Sequence, residues 1–148
     1  MEFAILVVPL LLMLFGVTEY GRAIYQYNTL SKSVRDATRY LTTASPGNGH
    51  AEAKNIVVCG HISCGGISAL APNLNQGMVK ICDATTITDC PGVPHSAVST
   101  GASSVNLVTV KIVGYEFKTL MNFSIGGVTI GAPNITFDSI YNTMRQPL

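Results

Sequence analysis

Four cysteines carry the most readable chemistry in the chain: Cys59, Cys64, Cys82 and Cys90. Their spacing, Cys-x4-Cys and then Cys-x7-Cys, lacks the paired short intervals of a structural zinc site, so no metal site is expected even with His61 and His95 nearby. An even number of cysteines at short spacing in an exported chain reads as two disulfides. Three connectivities are open, and the local pairing Cys59–Cys64 with Cys82–Cys90, which staples two loops, is favoured. His50, His61 and His95 all fall in Gly- or Pro-rich loops and read as exposed. No Gly-x-Ser-x-Gly, phosphate-binding loop or His-Glu-x-x-His pattern accompanies them, and Gly65-Gly66 and Gly126-Gly127 are lone pairs. Asn122-Phe-Ser and Asn134-Ile-Thr fit the glycosylation sequon, a match common by chance. No catalytic residue and no cofactor are expected, and the chain reads as a non-enzyme.

The remaining chemistry is ionic, and it brackets an apolar run. From Phe3 to Val17 the chain reads FAILVVPLLLMLFGV, with Glu2 on one side and Glu19 and Arg22 on the other. As a helix this run, with Thr18, is about 24 Å long, a little short of the ~30 Å hydrocarbon core of a bilayer. A cleaved signal needs a basic leader and a small-x-small site, whereas this chain reads Met-Glu and continues Gly16-Val17-Thr18-Glu19-Tyr20. A plain anchor usually carries Lys or Arg on its cytoplasmic flank, and Arg22 lies on the other side. The favoured reading is one long helix, an apolar half continuing into an amphipathic half. After Gly21 no Gly or Pro appears until Pro46, and Ile24, Tyr27, Ser31, Val34, Thr38 and Leu41 recur at intervals of three or four. Arg22, Gln26, Lys32, Arg35, Asp36 and Arg39 form the opposite, solvated side. Pro46-Gly47-Asn48-Gly49 ends the element, so the helix is expected from about residue 2 to about residue 44, on the order of 60 Å.

The candidate assembly residues lie on this helix. A carboxylate at Glu2, in the membrane-buried end, needs a partner such as a neighbouring subunit's α-amino group; the alternative is a carboxylate sitting on the helix dipole within reach of headgroup water. Phe3 opens the apolar run. Pro9 and Gly16 interrupt it, either as a flexible joint and a point of close approach or as residues that membrane helices tolerate. Glu19 and Arg22, three apart, are expected to pair within the helix rather than between subunits. Tyr20, Tyr25 and Tyr27 cluster at the same level, suited either to a bilayer boundary or to packing between helix and head.

Composition agrees with a membrane-held chain. Nine Lys+Arg against eight Asp+Glu leave a net charge of +1, and only 11 % of residues are charged. There is no field to gather nucleic acid. At 148 residues the chain has the size of a single domain, divided here into the helix at 1–44 (apolar 3–18, amphipathic 19–44) and a globular head at 45–148. In the head, Ala51–Val58 reads as a helix stopped by Gly60, or as a strand. Met78–Cys82, Val105–Tyr115 and Ile135–Met144 read as strands, with Gly126-Gly127 and Ala132-Pro133 punctuating the last connection. The expected fold is α+β: a long N-terminal helix whose second half packs on a three- or four-stranded, mostly antiparallel sheet, with the loops from Asp83 to Ser104 facing outward.

Glu2-Phe3-Ala4, the leucine-rich run, Phe15-Gly16, Glu19-Tyr20-Gly21-Arg22 and Ala37-Thr38-Arg39-Tyr40 resemble the N-terminal signature of TadE-like proteins, pilin-related subunits of the Tad (Flp) branch of type IV pili. The resemblance is dense over residues 2–41 and looser beyond, at Asn55-Ile56-Val57-Val58-Cys59-Gly60 and Met144-Arg145. It implies a lollipop-shaped, pilin-like subunit in the bacterial inner membrane, then in an extracellular pilus. It also implies an assembly platform and other pilins as partners, and trimming by a prepilin peptidase. The family's precursor has a basic leader ending in Gly, with the glutamate fifth in the mature chain; here the glutamate is Glu2, so trimming rests on the resemblance alone. The expected function is structural: membrane insertion through the helix, then incorporation into, or priming of, a filament by helix packing. The alternative is a single-pass anchored adhesion module or assembly-platform component that does not polymerise.

Overall fold

The computed structural model describes residues 2–120, 122–125, 128–131 and 134–146. Gly126-Gly127 and Ala132-Pro133 lie outside them. A single helix, α1 (Glu2–Leu41), runs through Pro9 and Gly16 without ending at either. It closes slightly earlier than expected. Thr43 N–H bonds to Tyr40 C=O and Ala44 N–H to Leu41 C=O, the tight i→i+3 geometry of a last turn, before Pro46 and Gly47 (φ 85°) turn the chain away. The orphan carbonyls at this end are met from far along the chain, since the Gln146 amide donates to Leu41 O at 3.2 Å and Ala44 O at 3.1 Å.

A second helix, α2 (His50–Cys59), settles the open choice at Ala51–Val58. Gly60 ends it in the left-handed conformation (φ 78°), and its N–H returns to Ile56 C=O, which a residue with a Cβ would make only under strain. The strands are β1 (Val79–Cys82), β2 (Val98–Ser99), β3 (Ser104–Ile112), β4 (Glu116–Phe117), β5 (Asn122–Ile125), β6 (Val128–Gly131), β7 (Ile135–Thr136) and β8 (Ile140–Gln146). The central strand is β3. It pairs antiparallel with β8 from Asn106↔Gln146 to Ile112↔Ile140, with β1 from Cys82↔Thr109 to Val79↔Ile112, and with β2 at Val98↔Val105. The result is an α+β fold with a four-stranded antiparallel sheet against the second half of α1.

Two expectations about strands change. The run Ile135–Met144 is broken rather than continuous: Phe137 N–H bonds to Tyr115 C=O and Asp138 Oδ1 accepts from Ser139 N–H. That break lets β7 pair with β4, as Phe117↔Ile135, in a separate small ribbon while β8 joins the main sheet. The strand from Val105 stops at Ile112, and Gly114 (φ 71°) swings the chain into β4. β5 and β6 pair antiparallel in a second small ribbon, from Asn122↔Gly131 to Ile125↔Val128.

The core lies between α1 and the sheet. Leu30, Val34, Ala37 and Leu41 of α1 meet Ala53 and Val57 of α2, Val79 and Ile81 of β1, Val108, Val110 and Ile112 of β3, and Ile140 of β8. Alternate residues of β3 point at the helix, as the two-residue period of a strand requires. The buried face of α1 is rotated from the expected stripe: Ala23, Leu30, Ser33 and Ala37 are buried with Val34, Thr38 and Leu41, while Ile24 and Tyr27 are exposed. Ile24, Tyr27, Ser31, Val34, Thr38 and Leu41 keep an average spacing near 3.5, and a helix of 3.6 residues per turn drifts about 20° per heptad from such a stripe. The stripe and the true face therefore coincide at Val34–Leu41 and part company toward Ile24.

Candidate assembly surface and its junction with the head

Among the described residues, the N-terminal half of α1 has almost no cover from its own chain. Phe3 is 81 % exposed and Val17 is 72 % exposed, and Leu6, Leu10, Leu12, Met13 and Leu14 between them are exposed as well. So long an apolar rod left bare in water is a large unfavourable surface, roughly 25 cal/mol per Å², so a partner surface or lipid must cover it. By length and composition the segment Leu6–Leu41 is able to cross a bilayer, with a mean hydropathy of 1.5 in its apolar part. Among the described residues, a Cβ added at Gly16 would meet nothing within 4 Å, so no packing need within them calls for glycine there. Glu2 lies in the first turn, and its side chain lies outside the described part of the structure.

Just past the apolar run the helix is bolted to the head. Arg22 donates one nitrogen to Glu19 Oε2 at 2.9 Å and to the Lys118 carbonyl at 2.7 Å, and its guanidinium stands 4.6 Å over the Phe117 ring. Arg22 is thus no member of a solvated face. A planar cation can pair within the helix, bond the head backbone and stack on an aromatic ring at once, which a lysine cannot. One turn on, Tyr115 donates its hydroxyl to Gln26 Oε1 at 3.0 Å, and Tyr27 meets Phe137 edge to face with centroids 5.5 Å apart. Phe137 also lies against Tyr115 and Phe117, so one aromatic cluster carries the seam. Burial pushes the Tyr115 phenol up, against the opposing pull of Arg22, and keeps it a donor.

At the far end of the head the candidate chemistry is structural. Disulfides join Cys59–Cys64 and Cys82–Cys90. His61 is exposed, but the other two histidines are not loose loop residues. His50 opens α2 with Nε2 2.7 Å from Asp83 Oδ2. His95 is 1 % exposed, its Nδ1 2.8 Å from Val93 O and its Nε2 2.9 Å from Thr109 Oγ1. Thr109 in turn lies 2.8 Å from the Thr143 hydroxyl, so this ring fixes the loop before β2 onto the outer face of the sheet. Asp83, expected to face outward, is fully buried. Its carboxylate accepts from Gly47 N–H and His50 on one oxygen, and from Thr85 N–H, Thr85 Oγ1 and Thr86 N–H on the other. Burial alone opposes its ionisation. The donors, led by the Gly47 N–H, outweigh that and hold the carboxyl well below the usual carboxylate range. The local half of this network, Asp-x-Thr-Thr, was legible as a side-chain turn signal; the bonds to Gly47 and His50, more than thirty positions away, carried no sequence signal.

Among the described residues no group of three or more His, Cys, Asp or Glu side chains is placed to hold a metal ion. No curated protein and no solved structure matches the chain. Residues 1–39, nearly all of α1, match the model of the TadE-like protein family, so the similarity covers the helix and not the head.

Proposed function

We propose that this chain is a pilin-like structural subunit of a Tad-type pilus. It is held in the bacterial inner membrane by residues 3–18 and then packed through the same helix against copies or relatives of itself, building or priming an extracellular filament. The observation that carries this reading is the bare apolar half of α1, joined to a head that covers only the other half. The TadE-like match over that helix adds a pilus context in which the role is structural rather than catalytic. In this proposal Glu2 sets axial register by pairing with a neighbour's amino group, Phe3 and Gly16 lie in the helix-to-helix contact, Pro9 lets the segment yield on leaving the bilayer, and the Glu19–Arg22 pair keeps the head in fixed orientation on the rod. An open, head-to-tail arrangement suits such a rod, because every copy presents the same unpaired surface to the next. The platform and peptidase implied by the family are the partners to seek.

Electron microscopy of surface material, labelled against the head, tests the proposal together with a chain lacking Phe3–Val17. Label along thin filaments, and a soluble monomer on deletion, is the expected outcome. Truncated chains that still enter filaments would overturn the role of the helix. Label confined to the envelope, with no filament, would instead favour an anchored module that does not polymerise.

A further inference from the structure

Helix length and the position of the junction together place part of the head at the membrane surface. The apolar run from Phe3 to Thr18 covers about 24 Å, and a hydrocarbon core of ~30 Å needs about four more residues, which brings the bilayer boundary to Arg22. Arg22 is the residue bonded to the Lys118 carbonyl, so the chain at 118–120 is held at that same depth. The side chains there have the character of an interface belt. Tyr20 and Tyr25 are exposed on the helix, and Leu120 is 76 % exposed, an unusual state for a leucine in the head. β5 begins two residues after Leu120, and its register with β6 pairs Phe123 with Ile130 and Ile125 with Val128, so the apolar residues of this hairpin stand at mutually paired positions. Arg22, Gln26, Tyr115, Lys118 and Leu120 also border a cleft of about 230 Å³ that opens at this level.

We propose that, while the chain is membrane-held, the base of the head around Arg22, Lys118 and Leu120 rests on the phospholipid headgroup layer and acts as a depth stop for α1. This rests on the membrane reading above and adds a second lipid contact to it. The charges at the base are Arg22 and Lys118 against Glu19 and Glu116, a balanced set that matches a zwitterionic headgroup without requiring an anionic lipid. Seating here lets a short helix fill the bilayer, and the apolar mismatch of some 6 Å is met by the head rather than by thinning of the membrane.

The chain lacks tryptophan, so a single one reports depth. Full-length Leu120→Trp is reconstituted in phosphatidylcholine vesicles beside Ile87→Trp, an exposed position near Asp83 and Gly47, beyond the far end of α1. Leu120→Trp should emit to the blue of Ile87→Trp, lose access to aqueous acrylamide, and be quenched by a headgroup-level spin-labelled lipid; Ile87→Trp should behave as in water. Water-like emission from both, in protein that floats with the vesicles, overturns the depth stop and leaves the membrane reading standing. Failure to float overturns both. Shielding of Leu120→Trp that vanishes as protein is diluted in lipid identifies a second copy as the cover and overturns the lipid contact.

Discussion

Asp83→Asn tests the head's internal latch at the level of single hydrogen bonds. The substitution keeps the shape of a fully buried side chain and preserves one acceptor oxygen, so the bonds from Thr85 N–H, Thr85 Oγ1 and Thr86 N–H survive. The other oxygen becomes an NH₂ group facing the Gly47 N–H and His50 Nε2, each 2.7 Å away. His50 can meet an incoming donor through its other tautomer; the Gly47 N–H cannot, and is left without an acceptor. One orphaned donor costs about 1–3 kcal/mol, and replacing a charge-assisted bond by a neutral one adds on the order of 1 kcal/mol, giving about 2–4 kcal/mol. Urea unfolding of the full chain in detergent, followed by tyrosine fluorescence, measures it. The pH dependence has a definite sign. Because the folded carboxyl is held below its ordinary value of 3.8, its stabilisation is complete above that pH and is lost progressively as the pH falls below it. The gap between native chain and variant should therefore be widest near neutrality and narrow below about pH 4. A gap under about 0.5 kcal/mol at pH 7, or one that stays constant into acid, refutes the argument that an ionised, five-donor Asp83 fastens α2 to the end of β1.

Other outcomes follow from the same packing. Leu30→Ala, at a wholly buried position of α1, should destabilise the head by about 2–5 kcal/mol in the same assay, whereas Ile24→Ala, on the exposed face, should change stability by less than about 0.5 kcal/mol. Opening Cys82–Cys90 with paired serines releases a loop of sequence separation 8 and should cost about 2–3 kcal/mol. Mass measurement of the oxidised chain should find no free thiol.

The long helix was legible because a charge-free run and an uninterrupted stretch to Pro46 are local facts. So were the two disulfides, through short spacing, whereas Ala51–Val58 stayed open between a helix stopped by Gly60 and a strand until the structure showed the helix. The phase of the buried stripe was not, because a 3.5-residue spacing of large side chains masked a face on which Ala23 and Ala37, small and easily overlooked, make the contact. The break at Asp138-Ser139 was hidden by alternation on both sides of it, and only the pairing of β7 with β4 explains it. His95 looked exposed because Gly and Pro surround it, yet a threonine on β3 claims its ring. Arg22 shows the same limit from the other side: its bond to Glu19 is a matter of spacing, while its bond to Lys118 joins positions 96 apart.

The seating of Gln146 on the carbonyls of Leu41 and Ala44 also bears on the order in which the molecule comes together. The central ladder of β3 with β8 and the fastening of the helix end both wait for residues about a hundred positions downstream of α1. By contrast the cystine loops, five and eight residues in separation, close locally. In a chain threaded N-terminus first, the rod is therefore in place and the loops are cross-linked while the sheet still lacks an edge strand. Until β8 arrives, the apolar faces of α1 and β3 stay unsealed, which makes the last strand the step that closes the head.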